Sequence, residues 1–376
     1  MECNRCLSNK TIQSINLDSE NICQFCKIHD EMDREYPLDE NSEKRLFKIA
    51  EKIKSDGFKS KYDCVVGVSG GRDSTFLLYY IKKILKLRPL AVHYDNGFDS
   101  DTSVSNILNI CQKLNVDLET NVADWQTFKK ITKSFFLAGV SDPDTPTDVG
   151  IFKTMYQTAF REKIKYVFNG HSFRTEGIEP LDWTYMDGKY IKEINKKYGD
   201  ADLKKFDNFY ISDIIKYKII AGIKTILPLN YINYSYDNVE KILKEEVDWN
   251  YYGGHHHESL LTKFVVSSYL PKKFNIDRRL TSYSAMVRAG LISKSDAKKI
   301  LNENPITVKE EIDLKEYILD KLDISKDEFE SIMRMRNKNF RNFKTYYNFF
   351  KYFKFPVKIL YKLNFIPKLL YLRYFG

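Results

Sequence analysis

The feature that most constrains the fold of this chain is a glycine turn between a short apolar run and an amphipathic segment. Residues 64–68 are apolar and rich in β-branched side chains, which predicts a buried parallel strand. Over residues 73–87 the apolar residues recur at helical spacing. A glycine turn between a strand and a helix N-terminus aims several N–H groups at one point, where the helix dipole adds positive potential. The turn therefore suits an anionic phosphate.

The turn lacks two widespread phosphate-binding patterns. No lysine follows Gly71, as a Walker A loop requires, and the spacing of a dinucleotide-binding G-x-G-x-x-G loop is also absent. The pattern S-G-G-x-D-S instead resembles the PP-loop ATP pyrophosphatases. That resemblance implies cleavage of ATP between its α and β phosphates, with pyrophosphate held in the turn and AMP transferred to a substrate oxygen. The implied ATP-binding residues here are Ser69, Gly70, Gly71, Arg72, Asp73 and Ser74.

Three features of this turn have a second interpretation. The glycines alone would also let a helix pack on a sheet without binding any ligand. Asp73 is either a catalytic Mg²⁺ ligand or a helix cap. Arg72 either adds a cation to the site or points outward.

The rest of the first half alternates strands and helices, which predicts an α/β fold with a doubly wound parallel sheet. Further strands are predicted at 89–95, at 116–122 and from residue 166, and helices at 101–114, 125–137 and 148–164. Ligands of such sheets bind at the carboxyl ends of the strands. By resemblance to PP-loop enzymes, additional nucleotide contacts are expected at Asp95, Asn96, Gly97 and Gly170.

Four early cysteines form two C-x2-C pairs. The pairs are separated by 16 residues and consist of Cys3, Cys6, Cys23 and Cys26. This spacing predicts a zinc knuckle with four thiolate ligands and a structural Zn²⁺ ion. Two disulfides are the alternative, which a reducing compartment disfavours. Cys64 and Cys111 lie in apolar contexts typical of buried residues.

Further blocks at 170–183, 249–264 and 272–279, together with the cysteines and the turn, make the chain resemble the N-acetyl sugar amidotransferases. These act in bacterial surface-polysaccharide (lipopolysaccharide O-antigen) and nonulosonic acid biosynthesis. The resemblance covers about residues 1–300 and stops before the C-terminal tail. It implies an ATP- and Mg²⁺-dependent ligase that adenylates the acetamido oxygen of a nucleotide-activated N-acetyl sugar. Ammonia from a separate glutaminase subunit would then give an acetamidino group, AMP and pyrophosphate.

Polar residues of these blocks are candidates for catalysis or substrate binding. Besides Asp73, the candidate catalytic residues are His171, Glu176, His256 and Glu258. The candidate substrate-binding residues are Arg174, Glu179, His255, Lys263 and Arg278. The alternatives are a solvated polar loop at 171–179, a surface histidine cluster at 255–257, and an ordinary charged helix face at 263–279.

The positive charge of the chain is concentrated in its tail. The formal net charge is +9, yet the 46 residues after Glu330 contain eleven Lys and Arg and no acidic residue. The nearly neutral body disfavours a nucleic-acid partner. Lysines interleaved with aromatic residues over 340–376 suit either peripheral contact with an anionic membrane or packing on the body or the glutaminase. No signal peptide or membrane-spanning segment is evident, so we expect a cytoplasmic protein. Any membrane contact would be peripheral, at the inner face of the membrane.

The predicted organisation has four parts. A zinc knuckle occupies residues 1–40, a PP-loop α/β domain 41–235, a helical substrate or partner region 236–335, and a basic aromatic tail 336–376. A tRNA-thiolating PP-loop enzyme is the main alternative function, although it usually needs further cysteines near the active site. A non-catalytic nucleotide-binding scaffold is the third.

Overall fold

A computed structural model describes residues 2–362 and 366–375 of the chain. A parallel sheet of five strands lies at its centre, in the order β3-β2-β1-β4-β5. The strands are β1 (Cys64–Gly67), β2 (Pro89–Asp95), β3 (Leu118–Val122), β4 (Tyr166–Phe168) and β5 (Lys224–Ile226). The predicted doubly wound α/β fold is confirmed, and β5 is a strand that the sequence patterns did not indicate.

Helices surround this sheet and form most of the second half of the chain. The α-helices are α1 (Gln24–Glu35), α2 (Ser42–Asp56), α3 (Arg72–Tyr79), α4 (Asp101–Leu114), α5 (Trp125–Ala138), α6 (Thr145–Arg161), α7 (Gly188–Tyr198), α8 (Ile211–Ile214), α9 (Tyr236–Val247), α10 (Leu260–Phe264), α11 (Leu270–Phe274), α12 (Arg279–Arg288), α13 (Lys294–Asn302), α14 (Val308–Lys321), α15 (Lys326–Arg334), α16 (Tyr347–Tyr352), α17 (Lys354–Lys362) and α18 (Lys368–Phe375). Wider π-helical turns follow at Tyr80–Ile84, Ile215–Ile220 and Val265–Tyr269, and short 3-10 turns lie at Leu203–Lys205, Pro228–Asn230 and Phe340–Asn342.

The helices predicted around the first strands form close to their expected limits. Helix α4 has the predicted limits, because Ser100 caps its first turn and Asn115 ends it in the left-handed conformation. Helix α5 likewise starts after the capping Asp124 and ends at Gly139, which has a φ of 68°. Helix α6 starts three residues earlier than predicted, at Thr145.

The sheet is covered on both faces, as its strand sequences require. In β1 the side chains alternate, so that Cys64 and Val66 join one apolar core while Val65 joins another. The first core contains residues of α2, α3, α4 and α9, and the second contains residues of α6 and of the turn at Ile215–Ile220. This double covering explains why the strands read as continuous apolar runs.

The strand order places a switch point between β1 and β4. The chain runs outward from β1 through β2 to β3, then returns and continues on the other side of β1 through β4 to β5. Loops leaving β1 and β4 therefore diverge and open a crevice at their carboxyl ends. The predicted phosphate turn and the predicted Gly170 are both at this crevice.

A third apolar core joins segments from all four predicted parts of the chain. It contains buried Cys23, Phe135 of α5, Leu314 of α14, and Phe340 from the start of the tail. The four parts thus pack together, and their boundaries stay a prediction.

The tail folds back onto the body. Helix α18 packs against α1, where the Lys368 ammonium donates to the carbonyl of Glu31 and pairs with Glu35. Residues 363–365 and 376 of the predicted tail lie outside the described residues. In the part of the chain that the structure describes, no helix combines the length and apolar character needed to cross a bilayer.

Candidate active site

The turn after β1 is built so that its backbone can approach a ligand closely. Gly70 has a φ of +73°, and a Cβ atom there would lie 2.2 Å from the carbonyl oxygen of Ser103. Only glycine fits such a position. The hydroxyls of Ser69 and Ser74 lie 3.1 Å apart, and the Ser69 N–H donates to the Ser74 hydroxyl at 3.2 Å. These bonds hold the first turn of α3 against the end of β1.

The loop after β4 meets this turn across the crevice. A Cβ atom on Gly170 would lie 3.4 Å from the carbonyl oxygen of Asp73. The Asn169 side chain accepts a hydrogen bond from the N–H of His171 at 2.8 Å, which fixes the start of the loop. The structure therefore brings Gly170 and the phosphate turn together, as predicted.

A segment from the second half of the chain covers the turn. The Trp249 indole donates to the carbonyl of Gly70 at 3.0 Å, and the Tyr252 hydroxyl accepts the N–H of Arg72 at 3.2 Å. The Asn106 amide of α4 bridges the carbonyls of Gly70 and Asn250. The site is thus assembled from both halves of the chain.

The Arg72 side chain turns toward α9 and is 10% exposed. Its guanidinium lies 3.3 Å from the centre of the Tyr236 ring and donates to Glu240 at 2.7 Å. Burial lowers the pKa of Arg72, but Asp73 and Tyr236 outweigh that effect and raise it. Arg72 therefore does not point outward into solvent. The neighbouring Asp73 carboxylate accepts a hydrogen bond from the Tyr234 hydroxyl.

Glu258 places a carboxylate beside the phosphate turn. A Cβ atom on Gly71 would lie 3.2 Å from its Oε1, while its buried Oε2 has no hydrogen-bond partner in the described structure. His256, with a φ of +61°, has its Nδ1 3.8 Å from the same Oε1. Burial lowers the pKa of His256, but Glu258 and Glu176 raise it to about 9. The His256 ring is therefore protonated at neutral pH.

Glu176 and His171 form a second acid–base pair in the loop after β4. The His171 Nε2 lies 4.0 Å from the Glu176 Oε2. Burial, and then the nearby Asp73, raise the pKa of Glu176 to about 8. Burial, and then Arg373, lower the pKa of His171 to about 4. The pair therefore stands near neutral pH as a protonated acid beside a neutral imidazole.

Arg278, the residue immediately before α12, is held by two carboxylates next to the site. It donates two hydrogen bonds to Glu179, at 2.5 and 2.8 Å, and one to Asp144 at 2.7 Å. Burial alone would raise the pKa of Glu179, but Arg278 outweighs this effect and lowers the pKa to about 2. Asp148 on α6 is influenced by the same charged groups. Its burial, and to a lesser extent repulsion from Asp144, raise its pKa to about 7.

Arg174, Lys263 and the third histidine make contacts away from the phosphate turn. Arg174 donates to Asp33 and to the carbonyl of Tyr36, so it ties the β4 loop to the N-terminal segment. Lys263 pairs with Glu310 of α14 at 2.5 Å. His257 lies 3.3 Å from the Ser267 hydroxyl. The His255 ring lies against the His256 ring, with ring centres 3.8 Å apart and planes tilted by 43°, and burial lowers the pKa of His255.

The loop after β2 is organised by its own polar residues. The Asp95 carboxylate accepts the N–H of Gly97 at 2.8 Å, and the Asn96 amide donates to Thr147 at 2.8 Å. Gly97 has a φ of +81°, which its lack of a side chain permits. The three predicted nucleotide contacts thus shape the loop at the carboxyl end of β2.

The four early cysteines converge on one point. All four are fully buried, and their sulfur atoms lie within 4.8 Å of one another, with separations of 3.6 to 3.7 Å between Cys6 and Cys23, Cys3 and Cys26, and Cys23 and Cys26. A disulfide would need about 2.05 Å. The four sulfur atoms are close enough together to serve as ligands of one metal ion, and Arg288 of α12 donates to the Cys6 sulfur at 3.4 Å.

Two protein families match the two halves of this site. The family described as NAD synthase matches residues 42–170, which contain the phosphate turn, β1 to β4 and Gly170. The family described as LPS biosynthesis protein WbpG-like, C-terminal domain, matches residues 258–355, which begin at Glu258 and contain Arg278. The chain thus combines an NAD synthase-like PP-loop segment with a WbpG-like C-terminal segment. Both matched segments contribute side chains to the crevice.

Individual relatives of this PP-loop protein are distant. An uncharacterized protein of Methanocaldococcus jannaschii, MJ1599, is 26% identical over 316 residues, which cover 82% of this chain and 96% of that protein. The NH3-dependent NAD synthetase from Campylobacter jejuni is 14% identical over 73% of this chain and 96% of its own, with a TM-score of 0.29. The U34-tRNA thiolase NcsA from Methanococcus maripaludis is 14% identical over 82% of this chain and 90% of its own, with a TM-score of 0.33.

Several residues of the PP-loop protein's crevice carry no local sequence signal. They are Asp144, Asp148, Tyr234, Tyr236 and Arg373. Each reaches the site from a segment that contains no recognisable motif. Tyr252 and Trp249 lie in a block that the sequence analysis did single out, but without a role for either side chain. Segments that are distant in the sequence meet at the carboxyl ends of the strands in a parallel sheet, and all of these residues lie on such segments.

Proposed function

We propose that this PP-loop protein is an ATP-dependent amidotransferase acting on the acetamido group of a nucleotide-activated N-acetyl sugar. The observation that carries the proposal is the joining of an NAD synthase-type phosphate turn to a WbpG-like region at one crevice. Glu258, the first residue of the WbpG-like match, has its carboxylate beside Gly71 of the turn. The parts expected for adenylation and for sugar recognition are thus neighbours.

The proposed reaction has two steps. The acetamido oxygen attacks the α phosphorus of ATP, its new O–P bond replaces the α–β phosphate bond, and pyrophosphate leaves. Ammonia then adds to the activated carbon, loses a proton, and expels AMP by breaking the C–O bond. The product carries an acetamidino group in which NH replaces the carbonyl oxygen.

The turn supplies the binding contacts for the first step. Ser69, Ser74 and the backbone N–H groups at the start of α3 would hold the leaving pyrophosphate. Asp95, Asn96, Gly97 and Gly170 would bound the nucleotide. His256 in its cationic form would balance charge on the phosphates next to Glu258.

A proton must leave the attacking ammonia in the second step. Glu176 has a pKa of about 8, so both its forms are populated near neutral pH, and its carboxylate can accept that proton. His171 beside it is neutral near pH 7, because burial and Arg373 lower its pKa to about 4. Arg278, oriented by Glu179, would contact a phosphate or carboxylate of the sugar nucleotide.

The residues near the turn fit a magnesium ion. Mg²⁺ prefers oxygen ligands and is usually held by one or two carboxylates plus substrate phosphates. Asp73 and Glu258 offer such oxygens, and the Glu258 Oε2 is buried without a partner in the described structure. When bound, the ion neutralises phosphate charge.

The cysteine site fits a structural zinc ion. A tetrahedron with Zn–S bonds of about 2.3 Å has edges of about 3.8 Å, close to the sulfur separations here. Four thiolates leave no position for water, so the ion would stabilise the N-terminal segment and would take no part in the reaction.

The test is incubation of the purified chain with ATP, Mg²⁺, ammonium and a panel of nucleotide-activated N-acetyl sugars. We expect AMP and pyrophosphate without ADP, and a product in which mass spectrometry shows O replaced by NH. The matched control is the same mixture with free N-acetyl sugars. Formation of ADP, or AMP formation that no N-acetyl sugar stimulates, would refute the proposal.

A thiolating enzyme has less support from the structure. Such enzymes need cysteines at the active site to carry sulfur. Here Cys64 lies buried within β1 and Cys111 within α4, and both belong to the apolar core on one face of the sheet. Stimulation of AMP formation by tRNA rather than by an N-acetyl sugar would favour this alternative.

A further inference from the structure

Helices α16 and α17 expose large apolar side chains that are three and four residues apart in the sequence. Tyr352 is 88% exposed, Phe355 73% and Ile359 44%, whereas Val357 of α17 is buried against the rest of the protein. Three lysines follow the same spacing one residue earlier, namely Lys351, Lys354 and Lys358. We call these six residues, three apolar and three basic, the aromatic-basic face.

The charge of this face is not neutralised by the protein. Across residues 2–362 and 366–375, none of its three lysines forms an ion pair, while Arg341 pairs with Asp182 and Lys368 with Glu35. No acidic residue follows Glu330 in the sequence. The face therefore presents positive charge and exposed rings together, on helices that α18 anchors to α1.

We propose that the aromatic-basic face binds the surface of an anionic lipid bilayer. Apolar side chains beside lysines suit the headgroup plane, where rings enter the acyl boundary and ammonium groups contact lipid phosphates. A protein interface is a poorer match, because lysine is depleted from such interfaces. This surface is separate from the active site, so the proposal goes beyond the proposed function and does not depend on it.

The test is co-sedimentation of the full-length chain with vesicles. Vesicles of phosphatidylcholine alone are compared with vesicles that also contain phosphatidylglycerol. We expect binding to the anionic vesicles only, and weaker binding as salt is added, because screening reduces the attraction. Replacing the three lysines by glutamine should weaken binding on the order of tenfold to a hundredfold.

A pair of matched triple variants separates the face from general hydrophobicity. Tyr352→Ser, Phe355→Ser and Ile359→Ser together should lower vesicle binding about tenfold or more, because the apolar contacts are lost. The control combines Ile215→Ser, Ile219→Ser and Ile220→Ser, three apolar residues that are 44%, 45% and 77% exposed elsewhere. This control should bind anionic vesicles as the unchanged chain does.

Three outcomes would overturn the proposal. They are equal binding to neutral and anionic vesicles, no binding to either, and equal losses in the two triple variants. A Tyr352→Trp variant provides a second readout, since its fluorescence should shift to the blue with anionic vesicles. An unshifted emission would show that the face does not enter the bilayer, even if some protein sediments.

Discussion

The hydroxyl of Ser74 joins the end of β1 to the first turn of α3, and at the same place it would contact pyrophosphate. We expect Ser74→Ala to lower the rate of AMP formation about tenfold or more, because a donor to the leaving group is lost. The cost in stability should be about 1 to 3 kcal/mol, because the Ser74 hydroxyl forms hydrogen bonds with the Ser69 N–H, the Ser69 hydroxyl and the Gly71 carbonyl. AMP release and thermal unfolding measure the two effects.

The matched control for this variant is Ser55→Ala, at an exposed position of α2 far along the chain from the turn. It should change neither AMP formation nor the melting temperature. Equal activity of the Ser74 and Ser55 variants would remove the turn from the catalytic site.

Glu176 illustrates how a buried acid links function to pH. Its pKa is raised by burial and by Asp73 to about 8, so the folded protein holds a proton that the unfolded chain releases near pH 4.5. Stability from this proton is fully present below pH 4.5 and is lost as the pH rises through 8. We therefore expect Glu176→Gln, which stays neutral, to gain stability relative to the unchanged chain as the pH rises from 5 to 9.

The gain should reach about 1 to 3 kcal/mol at pH 9 and be close to zero at pH 4. Amidine formation by the same variant should fall, because the proposed proton acceptor is missing. Thermal unfolding at several pH values gives the first result, and Glu245→Gln on the exposed side of α9 is the control. A pH-independent difference in stability would contradict the raised pKa.

At the scale of single elements, α18 links the end of the chain to the active-site loop. Arg373 donates to the carbonyls of Glu179 and Thr184, at 2.9 and 2.6 Å, on the loop that orients Arg278. We expect Arg373→Ala to raise the KM for the sugar nucleotide more than it lowers kcat. Arg373 positions the loop that contains Glu179 and Thr184, and it does not contact the phosphate turn. The same variant should also raise the pKa of His171, which Arg373 helps to lower.

An NMR titration of the His171 ring protons reads this second effect directly. Arg336→Ala, an exposed arginine shortly before the tail helices, is the matched control. If the pKa of His171 stays unchanged in Arg373→Ala, then the tail does not act on the site through this residue.

We expect the stability of the N-terminal segment to depend on a metal ion held by its four cysteines. Cys23→Ser removes one of four ligands, and we expect the zinc content to fall from about one ion per chain toward zero. The free energy of unfolding should fall by several kcal/mol, since Cys23 belongs to the same core as α5 and α14. Elemental analysis and denaturant unfolding measure both, and Cys111→Ser should keep its zinc.

Local elements were predictable from the sequence where a local physical rule applies. The glycine turn, β2 and α4 follow from side-chain periodicity, turn residues and capping, all of which act over a few residues. Arg174 and Lys263 show where this fails, because their partners Asp33 and Glu310 are 141 and 47 residues away. Nothing in the local pattern distinguishes an arginine that binds substrate from one that holds a loop to a helix.

At the scale of the whole molecule, the site exists only because distant segments converge. Tyr234, Tyr252 and Glu258 reach the turn from the second half of the chain, more than 150 residues after Gly71. The sequence block at 249–264 indicated that Tyr252 and Glu258 belong with the turn, whereas no motif marked the segment that contains Tyr234. Their juxtaposition required the strand order, in which β4 returns beside β1 and opens the crevice.

The source of ammonia depends on whether any cysteine of the chain could act as a glutaminase nucleophile. A glutaminase nucleophile is an activated, accessible thiol. All six cysteines of this chain are buried. Four of them converge on one point, and Cys64 and Cys111 lie in an apolar core, where burial raises the pKa of their thiols. We therefore expect the lone chain to use ammonium but not glutamine, with activity rising with pH as the fraction of neutral NH₃ increases. Adding a separate glutaminase subunit should make glutamine effective, whereas turnover with glutamine and the purified chain alone would show that the chain contains its own glutaminase.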